Sequence, residues 1–173
     1  MIKLIKDSGE RREFETGAVR DITEDKGRCD LLPLDAIADL VSVEYETILM
    51  QIEDFKRLGD THHLKQALLK FSTIAFNTED NTGKSIANMI LEVAKHYQEG
   101  AKKYAERNWE KGIPTHCYID SGTRHLLKYI RGDKDERHDR AFVWNLLGCI
   151  WTCNHMPEIN DYPIERESKN ENE

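Results

Sequence analysis

Acids, imidazoles and amides recur at helical spacing through residues 91–153. Glu92, His96, Glu99 and Lys103 follow i, i+4, i+7, i+11, which sets them along one side of a helix. Asp120, Arg124 and Lys128 repeat at i, i+4, i+8, with His125 one step round. His138, Phe142, Asn145 and Cys149 trace a third row, with Asp139 beside it and Glu136 three residues before Asp139. Carboxylates and imidazoles carried inward on three helices are the parts of a bundle-borne metal site. The expectation is that these rows converge on Mg2+ and a nucleoside triphosphate. Mg2+ takes oxygen ligands, and Glu92, Glu99, Asp120, Glu136, Asp139 and Asn145 are the hard donors available. Glu99, His96 and His138 are the catalytic candidates, as general bases or phosphate donors. Mixed carboxylate and imidazole ligation would suit Mn2+ or Fe. Each residue taken alone also has a plainer reading, as a solvated helix charge or a structural histidine.

Positive charge for a phosphate chain is present on the same helices, in Lys103, Arg107, Arg124 and Lys128. More lies near the N-terminus, where SGERREFETGAVRD and EDKGRCDLLP carry Arg11, Arg12, Arg20, Lys26 and Arg28. Two readings stand for that segment. Charge-rich stretches broken by glycine are commonly solvated and irregular. Arginine is also the side chain suited to bidentate contact with phosphate oxygens. Asn108 and Trp109, at the end of a helix, suit a nucleobase, since an amide reads base edges and an indole stacks. Trp109 is equally well read as an anchor in the core.

Net charge is -7, which excludes broad nucleic-acid binding through phosphate neutralisation. A phosphorylated small molecule remains accessible to an acidic protein when a metal ion supplies the positive charge. No apolar run approaches the ~20 residues a membrane span needs. Nothing in MIKLIKDSGERREF reads as a secretory signal, so a cytoplasmic location is expected. Cys149 and Cys153 stand one helical turn apart with His155 beyond, which reads either as small core residues or as part of a zinc site.

The elements that must position these residues are helical. Apolar spacing predicts helices over 34–58, over HHLKQALLKFSTIAF, over 84–106, from Pro114 through Arg131, and over 137–155. Gly59 with Asp60, the stretch NTEDNTG, and Gly132 with Asp133 separate them. His62 and His63 are adjacent and point apart, so a surface position is expected for both. Residues 42–82 read as packing or interface helices. No strand pattern is evident. The expected fold is all-α: one helical-bundle domain over 1–157, with an irregular arm over 1–33 and a flexible tail over 158–173.

Together SGERREFETGAVRD, KGRCDLLP, EGAKKYAERNWEKGIP and YIDSGTRHLLKYIRGDKDERHDRAFVWN resemble the phage and bacterial dATP/dGTP diphosphohydrolase N-terminal domain family. That family is similar to the MazG-type all-α NTP pyrophosphohydrolases. The resemblance implies a MazG-like bundle that cuts purine deoxynucleoside triphosphates between the α and β phosphates, with Mg2+ (Mn2+ possible). It also implies assembly into a homo-oligomer. The MazG-type pattern pairs ExxE on one helix with ExxD on another. Here ExxE is absent from 91–106, where Glu92, His96 and Glu99 take the row, and Glu136 with Asp139 supplies ExxD. Tyr104, like Arg107, Asn108 and Trp109, falls in the family motif and is carried over as a substrate contact. Relative to the compact pattern, residues 40–85 read as a helical insertion. Two other functions fit the same residues: a non-catalytic nucleotide-binding or regulatory protein of phage origin, and a phosphohydrolase that releases phosphate or triphosphate.

Overall fold

The computed structural model describes residues 10–22, 26–77 and 82–164. A short antiparallel hairpin, β1 (Arg11–Glu13) and β2 (Val19–Asp21), opens the described chain. A 3-10 turn over Cys29–Leu31 leads into α1 (Leu34–Ala38) and α2 (Val43–Leu58). Then follow α3 (Thr61–Ala75), α4 (Thr82–Tyr104), α5 (Thr115–Arg131) and α6 (His138–His155). The fold is all-α, a bundle in which α5 pairs with α6, α2 with α3, and α4 lies against α3 and α6.

Local sequence sets most of the boundaries. Gly59 takes the left-handed conformation (φ 71°) that closes α2, and Asp60 then caps α3 by accepting from the His62 N–H at 2.8 Å. Gly132 (φ 86°) closes α5 in the same way. At the centre, the Phe71 ring packs against Phe142 at 4.6 Å and Tyr129 at 5.2 Å, joining α3, α6 and α5. Ile48, Leu49, Ile52 and Phe55 of α2 are fully buried, so α2 contributes to the core.

Three expectations change. The single helix read over 34–58 is two, because Ser42 starts a new helix and Leu40, counted in the apolar stripe, is 82% exposed. The arm is ordered over 10–22 as a hairpin, with Phe14 and Ala18 buried at its turn. The presumed tail is packed as far as Ile164. Tyr162 is buried on Phe55 with ring centroids 5.1 Å apart, and Asp161 accepts from the His116 N–H at 2.8 Å. Apolar and hydrogen-bonding side chains spaced within a polar run produce that packing. Residues 1–9 and 165–173 of the arm and tail, like 23–25, lie outside the described residues.

Candidate active site

The hairpin and three helices wall a cavity of about 270 Å³. From β2 come Val19, Arg20 and Asp21; from α5 come Ser121, Arg124, His125 and Lys128. Trp144 and Asn145 of α6 close the far side, and Lys26, Asn108 and Glu136 enter from connecting segments. On α4 the lining row is His96, Gly100, Tyr104, at i, i+4, i+8. That row shares His96 with the expected one but turns Glu92 and Glu99 away from the cavity.

Arg20 is the most constrained residue of the wall. Its Nη2 donates to Asn145 Oδ1 at 2.7 Å, and its guanidinium lies 5.2 Å from the Tyr118 ring and 5.5 Å from the Trp144 ring. The charge-assisted bond and the two ring faces hold it in place. Its Nη1 is buried with no acceptor among the described residues. Arg124 is likewise pinned. Its Nη2 donates to both Asp120 oxygens (2.6 and 2.7 Å) and to the Gly27 carbonyl (2.7 Å), while its Nε is buried with no acceptor among the described residues. The lining thus carries Arg20, Lys26, Arg124 and Lys128 against Asp21 and Glu136, a cationic pocket in an acidic protein.

Hydrogen bonds tie the hairpin to α4 and its C-terminal turn. Asp21 accepts from Lys103 Nζ and from the Tyr104 hydroxyl, each at 2.6 Å. Asn108 accepts from the Val19 N–H at 3.0 Å and donates to the Val19 carbonyl at 2.9 Å, standing in for a third strand. Its amide thus fastens the hairpin while still lining the cavity. Trp109 packs against Tyr97 at 5.6 Å and Trp151 at 5.0 Å, outside the cavity lining, so it is a core anchor. Trp144 supplies the indole of the pocket.

The other expected residues fall elsewhere. Arg28 pairs with Asp30 and, with Arg12 and Asp120, lines a second cavity of about 90 Å³. That cavity shares Arg20, Asp21 and Ser121 with the first. Arg11 lies 5.4 Å from the Tyr104 ring, and exposed Arg107 pairs with Glu110 at 2.7 Å.

At one edge of the main cavity three titratable groups converge. His125 Nδ1 and His138 Nδ1 are 3.0 Å apart, and Glu136 Oε1 is 3.3 Å from the first and 3.4 Å from the second. Burial pushes the His125 imidazole down to about 3. Burial opposes the His138 imidazolium too, but the Glu136 and Asp135 carboxylates outweigh it and hold that pKa above its ordinary value. His96, beside them in the lining, is pushed down to about 4 by burial. His125 and His96 are therefore neutral near pH 7, each with a lone pair.

Among the described residues the expected oxygen donors do not gather in one group. Glu92 is held by Arg140 and Lys95, and Asp139 accepts from Arg137 at 2.9 Å. Asp120 is taken by Arg124 and by the Cys29 N–H at 2.7 Å, and Asn145 Oδ1 by Arg20. Glu99 faces Arg140 at 3.8 Å.

The chain is thus a helical bundle with a cationic, aromatic-walled cavity beside a histidine–carboxylate cluster. Residues 62–162 match the family model described as dATP/dGTP diphosphohydrolase, N-terminal, which covers more than half of the chain. The protein belongs to that family. The matched stretch holds α3 to α6, and with them every helical residue of the cavity. No curated protein and no solved structure matches the chain.

Proposed function

We propose that this protein hydrolyses purine deoxynucleoside triphosphates, dATP or dGTP, to the monophosphate and pyrophosphate. The observation that carries the reading is the pair of buried guanidinium donors, Arg20 Nη1 and Arg124 Nε, that lack acceptors on residues lining the cavity. A buried N–H without an acceptor costs about 1–3 kcal/mol, and phosphate oxygens would relieve that cost. Trp144 and Tyr104 provide ring faces for the base. Arg20 and Arg124 orient the triphosphate, and Lys26 and Lys128 add charge at the wall. Water attacks the α-phosphorus, the bond from it to the bridging oxygen breaks, and pyrophosphate leaves. His96, neutral and buried, receives the proton of that water. Mg2+, which the family resemblance implies, would arrive on the triphosphate, since this ion is commonly held by substrate phosphates.

At about 270 Å³ the cavity sits just under the ~300–1,000 Å³ usual for small-molecule sites, so the phosphates extend toward its mouth. Exposed Leu40, Val43, Ile90 and Leu91 provide apolar surface for the expected homo-oligomer. The test is incubation of the purified protein with each deoxynucleoside triphosphate and a divalent metal, with chromatographic separation of products. Monophosphate and pyrophosphate from a purine substrate, with a loss of ~10²-fold or more in His96→Gln, is the expected result. Thermal stabilisation by nucleotide without turnover would replace the enzyme with a nucleotide-binding protein.

A further inference from the structure

The cluster at the cavity edge goes beyond the chemistry used above. We infer that His125, Glu136 and His138 hold one divalent ion of the borderline transition-metal class, Mn2+, Fe2+, Co2+ or Zn2+, in preference to Mg2+. The inference concerns the same pocket. Its bearing on nucleotide hydrolysis rests on the reading above; the binding itself does not.

Geometry makes the first argument. The three donor atoms form a near-equilateral triangle with edges of 3.0, 3.3 and 3.4 Å. Donors about 2.1 Å from one ion stand about 3.0 Å apart at right angles and about 3.4 Å apart at the tetrahedral angle. The observed edges span those two values. Two imidazole nitrogens and one carboxylate oxygen, with His125 and Glu136 also lining the cavity, form a donor set that borderline divalent ions take. Mg2+ favours oxygen donors and gains little from two imidazoles.

The surroundings make the second argument. His138 Nε2 lies 2.8 Å from Asp135 Oδ1, so the tautomer with its proton on Nε2 satisfies that carboxylate and turns the Nδ1 lone pair toward His125 and Glu136. A carboxylate on the far nitrogen of a ligating histidine is the usual support for such a ligand. The side chains of His138, Glu136 and His125 are 1%, 11% and 19% exposed, so the cluster is largely shielded from solvent. A second grouping, Asp133, Asp135 and His138, lies on the outer side of the same imidazole. It is the weaker site, because Arg131 already binds both Asp133 oxygens and Lys128 stands 3.7 Å from Asp135.

Metal-free protein, prepared with a chelator, is titrated with Co2+ and followed by visible absorption. Bands of bound Co2+ saturating at one equivalent per chain, and surviving about a hundredfold excess of Mg2+, are expected. His125→Ala and Glu136→Gln should abolish them, with circular dichroism as the check on folding. Asp135→Asn leaves all three ligands in place and should weaken Co2+ binding by about 10–100-fold. Absence of the bands, displacement of Co2+ by Mg2+, or bands unchanged in His125→Ala and Glu136→Gln would overturn the inference. The last two would leave the 3.0 Å contact as an ordinary hydrogen bond between two imidazoles. Bands without nucleotide turnover keep this metal and remove the proposed hydrolase. Turnover with Mg2+ in a chain that retains no Co2+ does the reverse.

Discussion

Glu92 separates a structural role from a chemical one. It stands on the row that sequence spacing assigned to metal, yet its carboxylate clamps α4 to α6. Arg140, only 7% exposed, donates to it through Nε at 2.9 Å and through Nη2, and Lys95 bonds it from the same helix. Lys95 above all, with Arg140 adding to it, outweighs the opposing cost of burial and pulls its pKa from 4.5 to about 2. Each tenfold in a proton-binding constant is ~1.4 kcal/mol, so the full displacement corresponds to about 3 kcal/mol. The carboxylate is partly exposed, and solvent screening reduces this to about 1–2 kcal/mol. Because the folded pKa lies below the unfolded one, the stabilisation is complete above pH 4.5 and is lost as pH falls toward about 2. Glu92→Gln keeps the shape and removes the charge. At pH 7 it should lower Tm by about 2–8 °C in a chain of this size. Urea unfolding followed by circular dichroism should show the gap to the parent narrowing below pH 4.5. Bound Co2+ should be unaffected. A variant as stable as the parent at pH 7 but unable to bind metal would refute this reasoning and restore Glu92 to the ligand row.

The remaining predictions concern other parts of the frame. Asp161→Asn removes the acceptor that raises His116 to about 10, so the parent's advantage should be greatest below pH 6.5 and vanish as pH approaches 10. The pair is partly exposed, and about 0.5–1 kcal/mol is the expected size in denaturant titrations at pH 6 and pH 10. Gly100→Ala, on the cavity wall of α4 with open space around its Cβ, should raise stability by about 0.5–1 kcal/mol. The same methyl narrows the cavity, so KM should rise in the nucleotide assay. Gly148→Ala places a Cβ 2.5 Å from Tyr118 Cε1, inside a fully buried ring contact. Overpacking of about 1–3 kcal/mol is expected by thermal denaturation, with weaker nucleotide binding because Tyr118 supports Arg20.

The long helices were legible because their apolar spacing and glycine stops are local signals. α4, α5 and α6 fall within two residues of the expected bounds. The hairpin was not legible. Its strands are three residues each with no alternating pattern, and Asn108, some ninety positions away, completes them. The cavity was legible in part. His96, Arg20, Lys26, Tyr104, Arg124, His125, Lys128, Glu136 and Asn145 were named from sequence and line it. The arginine partners of the carboxylate row were not legible, because spacing places residues on a helix face without saying what faces them. Glu92, Asp120 and Asp139 each meet an arginine, a partner that no local pattern reveals. Trp144 and Gly100 were missed for the opposite reason. An indole on a buried helix reads as core, and a glycine reads as a defect, until the cavity between them is seen. A glycine deep inside α4, at a site favouring longer side chains, was the available signal.

Arg20 and Asn145, joined by one hydrogen bond, stand 125 positions apart in the chain. Asp21 and Lys103 are separated by 82, and Val19 and Asn108 by 89. Loops of that length close late, because their entropy must be lost before such contacts form. The cavity is therefore among the last features to appear as the molecule folds. On the ribosome it cannot exist until α6 has been made, so an unfinished copy presents no pocket to any small molecule.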